Sequence, residues 1–326
     1  MIKVSSAAPV AAAVFGALVA TAVIGYFNYH AVLAAMAPVG WRGSVLVIAA
    51  QLALFAPLGL AWFLVAPDEP IKHFGVFAWG RLMREAASDV LPFSQFGGFV
   101  IATRAMAVGG VSGARAIGSG VVDLTVEIVA QLLYTLLGVW LLVTRLGAAS
   151  SDDHLVYSVL TGMIIVAALV AGFVFAQRRG LVPLERLAMR FAPSAAAHSA
   201  EVARIVETAY GRPARLWMAL ITHIGCWVAS ALGTWLILWL IDRPLPFSSV
   251  IAIESLLFAI KNAAFVVPTG LGVQEGAYAL LGPLFGLPAE AALALSLLKR
   301  GRDIAIGIPM LMTWQFMEGR LNRLRA

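Results

Sequence analysis

Long apolar runs at 10–26, 44–66, 120–143, 156–176, 216–241 and 289–316 constrain this chain more than any motif it carries. A bilayer core about 30 Å thick needs roughly 20 apolar residues per helical crossing, so each run is about one crossing long. A backbone in hydrocarbon must satisfy its own hydrogen bonds, and these runs do not alternate as barrel strands would. An all-α polytopic integral membrane protein with about six spanning helices is therefore expected, as a single transmembrane domain over 1–326. Composition agrees, at 61% hydrophobic and 12% charged with a mean hydropathy of +0.90, far from soluble domains. The start of the chain, with Lys3, an apolar stretch and Ala35-Met36-Ala37, superficially resembles a cleavable signal. Its apolar stretch is longer than a signal core and another follows at once, so it reads as a first crossing.

Two further apolar stretches, 74–110 and 249–286, are each broken near the middle, at Leu91-Pro92 and at Val267-Pro268-Thr269-Gly270. Their halves are short for a crossing, and they read as re-entrant helical hairpins. The loop 177–215 carries seven arginines, whereas Asp152 and Asp153 lie in the preceding link, so the positive-inside rule places 177–215 in the cytoplasm. Lys3, the region from Lys72 to Arg84, Arg104, Arg115 and the tail Arg320, Arg323 and Arg325 then fall on the same side. That assignment closes only if both broken stretches are re-entrant or both span twice. Within the loop, Leu184, Leu187 and Phe191 share a helical face opposite Arg186 and Arg190, as on a membrane-surface helix; a solvated linker fits nearly as well.

Sliding the chain against itself by 176 positions brings Pro92 onto Pro268, Gly110 onto Gly286, Glu85 onto Lys261, Asp123 onto Lys299 and Glu127 onto Asp303. Repeat one spans 74–143 and repeat two 250–319, with 177–215 as the cytoplasmic linker. The topology above makes the copies inverted, an arrangement that builds alternating-access sites near the midplane.

Ionised side chains inside a bilayer are expensive and normally face partners or a wet cavity. Asp123 and Glu127 are one turn apart; Lys299, Arg302 and Asp303 share a face, with Arg300 flanking. Arg81, Arg84, Glu85 and Ser88 follow i, i+3, i+4, i+7 spacing on the first hairpin, and Glu254 and Lys261 form a stripe on the second. Opposite signs in opposite repeats suggest a polar cavity between them; buried ion pairs that only fix helix packing are the alternative. No hydrolase, metalloprotease or nucleotide-binding motif is present, and no metal or cofactor is expected. The five histidines are scattered, without an evident partner, and the net charge of +6 gathers at segment ends, which argues against nucleic acid. Cys226, the only cysteine, reads as a small buried hydrophobe. Gly109, Gly110 and Gly113 suggest a flexible link, and the stripe Gly225, Ala229, Gly233 suits packing within the bundle or between chains alike.

At 84–92 (Arg84-Glu85-Ala86-Ala87-Ser88-Asp89-Val90-Leu91-Pro92) and 268–276 (Pro268-Thr269-Gly270-Leu271-Gly272-Val273-Gln274-Glu275-Gly276), the chain resembles the flippase-like transmembrane domain of lysylphosphatidylglycerol synthases and their stand-alone relatives. Within that superfamily, 79–85 and 92–99 look most like hopanoid-biosynthesis-associated membrane proteins. The resemblance implies a multi-pass bacterial inner-membrane protein that moves or handles lipids, hopanoids in this branch, with hinges at Pro92, Pro268, Gly270 and Gly272. It implies Arg84, Glu85 and Glu275 among the cavity charges. Thr269 stands where the superfamily commonly has glycine. Gln274 replaces a frequent basic residue, which disfavours an anionic phospholipid headgroup. The aminoacylating soluble domain of the synthases has no counterpart after Phe316. The expected function is thus a lipid translocator, not an enzyme, whose partners are membrane lipids, hopanoid or phospholipid, with lipid-synthesis or export proteins beside them. A membrane-embedded lipid-modifying enzyme using Asp123 and Glu127, or a scaffold for lipid-synthesis enzymes, are the alternatives. Energy coupling is open between protons or ions, a partner protein and passive scrambling.

Overall fold

The computed structural model describes residues 29–91, 94–147, 161, 164, 193–264 and 270–325. The expected crossing 10–26, nearly all of 156–176, the face of Leu184, Leu187 and Phe191, and the hinge residues Pro92, Pro268 and Thr269 lie outside the described residues. In chain order the helices are α1 (Tyr29–Met36), α2 (Gly40–Val65), α3 (Phe74–Val90), α4 (Ser94–Val108), α5 (Gly113–Gly147), α6 (Pro193–Tyr210), α7 (Pro213–Leu240), α8 (Phe247–Ala263), α9 (Val273–Leu284) and α10 (Ala289–Arg325). Short 3-10 turns precede α2 and α3, and no strand occurs among the described residues.

Three helical stretches there are long and apolar enough to cross a bilayer: His30–Val65, Gly113–Arg145 and Pro213–Leu240. They contain the runs 44–66, 120–143 and 216–241 almost whole. The run 289–316 lies in α10, whose 37 residues would extend about 55 Å; Lys299, Arg300, Arg302 and Asp303 interrupt its apolar character. Polarity is arranged inside out. Trp41, Trp140, Trp217 and Trp239 are 60% exposed or more, while Asp123 and Glu254 are fully buried. Water would penalise such a surface, and lipid suits it.

The chain folds as two compact units. The first comprises Phe55–Leu82 and Ala102–Trp227; the second draws on residues up to Leu54, on Met83–Ile101 and on Val228 onward. In the first, Gly59 brings α2 against the backbone of α3, where a Cβ would stand 2.6 Å from the Ala78 nitrogen. Trp62 meets Phe77 edge to face at 6.1 Å and its Nε1 donates to Ser119 Oγ at 3.0 Å. The later part of the 177–215 linker is α6, docked on α5. Val206 and Ala209 are buried in the same core as Ala116 and Val122, and Gly118 leaves room for the buried Ile205 side chain. At one end of this unit three links are tied together: Arg212 Nη2 donates to Asp68 at 2.7 Å, Arg115 Nη1 to Glu69 at 2.7 Å, and His73 Nδ1 lies 2.5 Å from Glu69. The charge rule assigns these links to one side of the membrane, and they do meet.

In the second unit α10 is the common support. Val32 of α1 packs with Leu293 and Ala294, and Ala86 and Ala87 of α3 pack with Leu311. Gly307 sits where a Cβ would come 2.5 Å from Val90. Gly98 of α4 lies so close to α3 that a Cβ would be 2.5 Å from the Arg84 carbonyl oxygen.

Both broken stretches fold as helix pairs, α3 with α4 and α8 with α9, and both end on the same cap. Val111 N donates to Met106 O at 3.1 Å and Gly110 N to Ala107 O at 3.2 Å; Leu287 N donates to Gly282 O at 2.9 Å and Gly286 N to Pro283 O at 3.1 Å. This is the Schellman pattern, which puts the C′ residue in the left-handed region. Gly110 (φ 92°) and Gly286 (φ 85°) meet that demand. The expected flexible link at 108–113 is thus a fixed helix cap.

Candidate functional site

Polar side chains cannot remain unpartnered on helices surrounded by apolar residues, and here they gather into three groups. In the first unit Arg81 of α3 faces α5. Its Nη1 donates to Glu127 Oε2 at 3.0 Å, its Nη2 donates to Glu127 Oε1, and Nη1 lies 3.5 Å from Asp123 Oδ2. The forked guanidinium matches the carboxylate in a way a lysine could not. His223 of α7 completes the group, with Nε2 2.9 Å from Asp123 Oδ1. All four residues are buried.

In the second unit Lys299 of α10 donates to Glu254 Oε2 of α8 at 2.6 Å, to Tyr278 OH of α9 at 2.8 Å and to Thr234 Oγ1 of α7 at 3.1 Å. The three hydrogens of the ammonium are thereby used. Tyr278 OH in turn donates to Glu254 Oε1. One turn along is the hinge of the second hairpin. Arg300 Nε donates to Glu275 Oε1 at 2.8 Å, and Gly272 N donates to Glu275 Oε2 at 2.9 Å, capping α9 at its first turn. Gly270 (φ 61°) and Gly272 (φ 76°) adopt backbone conformations that side chains resist.

The third group is half-buried and also lies in the second unit. Lys261 Nζ of α8 donates to Gln274 Oε1 at 3.3 Å, and Gln274 Nε2 donates to Ser296 Oγ at 3.1 Å. Asp89 of α3 lies within electrostatic reach of Asp303, Lys261, Glu85 and Arg302, and Arg302 Nε donates to Asp303 Oδ1 at 2.8 Å. Arg84 is buried in the same unit.

The sequence-predicted residues therefore separate. Arg81, Asp123 and Glu127 meet within repeat one, and Glu254 meets Lys299 within repeat two. Glu85 instead lies, like Lys261, Arg302 and Asp303 of repeat two, within electrostatic reach of Asp89, and Glu275 serves the hinge. His223, Thr234 and Tyr278 were not singled out by sequence, and Arg300 only as a residue flanking the charged face of α10. His223 and His73 have acidic partners, contrary to the expectation for the histidines. Their signal was a lone polar residue on an apolar helix face, which names no partner.

Residues 9–309 match the family described as the lysylphosphatidylglycerol synthase TM region. The chain belongs to this family. Membership, with the apolar helices, makes it a membrane protein of lipid-related function. No curated protein and no solved structure matches it. Within this lysylphosphatidylglycerol synthase TM family member, the neutral Gln274 stands beside a cation after all, because Lys261 reaches it from α8.

Proposed function

We propose that this protein is a lipid translocator of the bacterial inner membrane, with both termini in the cytoplasm and hopanoids as its cargo. The observation that carries the reading is the half-buried group formed by Glu85 and Asp89 of the first hairpin with Lys261 of the second and with Arg302 and Asp303. Two cations among three carboxylates suit a hydroxyl- or amine-bearing headgroup better than a bare phosphate, while the lipid's apolar body remains in hydrocarbon. Shared landmarks support the inverted repeat: the caps at Gly110 and Gly286, and the starts of α5 at Gly113 and α10 at Ala289, stand at the same offset of 176 as Asp123 and Lys299. Asp123 and Glu127 are engaged by Arg81, which favours transport over acid–base chemistry by that pair.

The test is mass spectrometry of lipids that copurify with the gently solubilised protein, normalised to bulk membrane, for wild type and Lys261→Ala. Enrichment of a polycyclic lipid in wild type and its loss in the variant is the expected result. A bulk-like set in both would move the weight to a scaffold, and altered lipid structures, rather than locations, on removing the protein would indicate an enzyme.

A further inference from the structure

We infer that Asp123 and His223 form a proton-binding site that couples lipid movement to a proton gradient; the coupling, though not the site, rests on the translocator reading. His223 is 1% exposed, with Nε2 held 2.9 Å from Asp123 Oδ1, while its Nδ1 has no hydrogen-bond partner among the described residues. An ionised carboxylate only accepts, so Nε2 carries the hydrogen and Nδ1 presents a bare lone pair. A buried acceptor left in that state is disfavoured and calls for an explanation.

A proton supplies one. Bound at Nδ1, it breaks no bond and converts the neutral imidazole into an imidazolium already in contact with Asp123; release is the reverse step. Other charged groups face the dyad. Arg81 of α3 shares Asp123 and holds Glu127 of α5, so the carboxylate is not given wholly to the imidazolium. On α7 itself, Cys226 lies within reach of the charges of Arg81, Glu127 and Asp123, and Trp227 stacks on Tyr134 of α5 at 6.1 Å. Both α5 and α7 contain stretches able to cross the bilayer, so charge gained at His223 is gained between two aqueous phases. In the Lys299 group, by contrast, every side-chain nitrogen and oxygen has a hydrogen-bond partner.

Two measurements separate the site from the coupling. In the first, ¹⁵N spectra of histidine-labelled protein, with the His223 signal identified by its loss in His223→Gln, are recorded from about pH 5 to 8 and should show the His223 ring taking up a proton at Nδ1. Asp123→Asn, which keeps the side-chain shape, should alter that proton uptake and serves if His223→Gln does not fold. A His223 fixed in one state across the range in wild type overturns the site. In the second, vesicles carrying a fluorescently tagged aminohopanoid are assayed with and without a pH difference of about one unit, which changes proton occupancy up to tenfold. The ratio of the two rates should be several-fold in wild type and fall to one in His223→Gln or Asp123→Asn. A ratio of one in wild type overturns the coupling. No lipid movement under any condition, with His223 still titrating, would refute the translocator reading and leave the proton site standing.

Discussion

Arg81, Asp123, Glu127 and His223 are assembled from the first helix of one hairpin, the long helix behind it and α7. Thr234, Glu254, Tyr278 and Lys299 are assembled from the same kinds of element at the other hairpin, which adds its second helix, and there the signs are exchanged, with the anion on the hairpin and the cation on the long helix. The two groups end differently. Around Lys299 each ammonium hydrogen meets an oxygen and both Glu254 oxygens are used, whereas His223 retains a buried nitrogen without a partner among the described residues. The polar atoms of the Lys299 group are partnered with one another, while the His223 group leaves one acceptor open. The difference suggests that the second site is the fixed framework and the first is where chemistry changes during a cycle.

The sharpest way to break that contrast is Lys299→Ala, which would strand the Glu254 carboxylate in the interior. Losing one partner of a buried pair costs about 3–5 kcal/mol, so the detergent-solubilised protein should lose most of its thermal stability. The double replacement Glu254→Gln with Lys299→Met should recover much of it, because a buried pair adds little over neutral residues of similar shape. If the single variant melts like wild type, Lys299 is not a structural lock. Tyr278→Phe removes only the hydroxyl that bridges Lys299 and Glu254, and should cost about 1–3 kcal/mol by thermal melting.

Close helix contacts offer a second, smaller contrast between the hairpins. Gly98→Ala in α4 would press a methyl against the Arg84 carbonyl oxygen, a backbone atom that cannot swing away, and should destabilise by about 1–3 kcal/mol. Gly276→Ala in α9 meets nothing within 4 Å; replacing a helical glycine there should leave the melting midpoint unchanged or raise it by up to about 1 kcal/mol of stability. Equal losses at both positions would mean that the second hairpin packs as tightly as the first.

How far sequence reached follows from what each signal encodes. Apolar run length located α2, α5 and α7 because bilayer thickness alone sets it. Helix breaks at the two Pro and Gly sites were legible because proline and positive-φ glycine act locally. Partners were not legible: periodicity put Glu254 and Lys261 on one stripe, yet Glu254 turns to Lys299 and Lys261 to Gln274, since a stripe fixes direction and not depth. The docking of α6 was not legible: Val202, Ile205, Val206 and Ala209 follow helical spacing, but a short apolar face among the arginines of 177–215 names no partner.

The smallest expected effect lies at the link end of the first unit. Asp68 is exposed, and its carboxyl is held below the usual 3.8 by the hydrogen bond from Arg212, aided by the nearby charges of Arg215 and Arg115. A depressed carboxyl adds stability above its unfolded value and loses it as pH falls through the folded one. Any difference between wild type and Asp68→Asn should therefore be present near neutral pH and vanish well below 3.8. Asparagine tolerates the left-handed backbone found here (φ 57°), so the substitution isolates the charge. Exposure and salt screening keep such a pair weak, and thermal melts at low and high salt should show the difference shrinking further. A large, salt-insensitive loss in Asp68→Asn would instead mean that this link cluster is what holds the first unit's end in place.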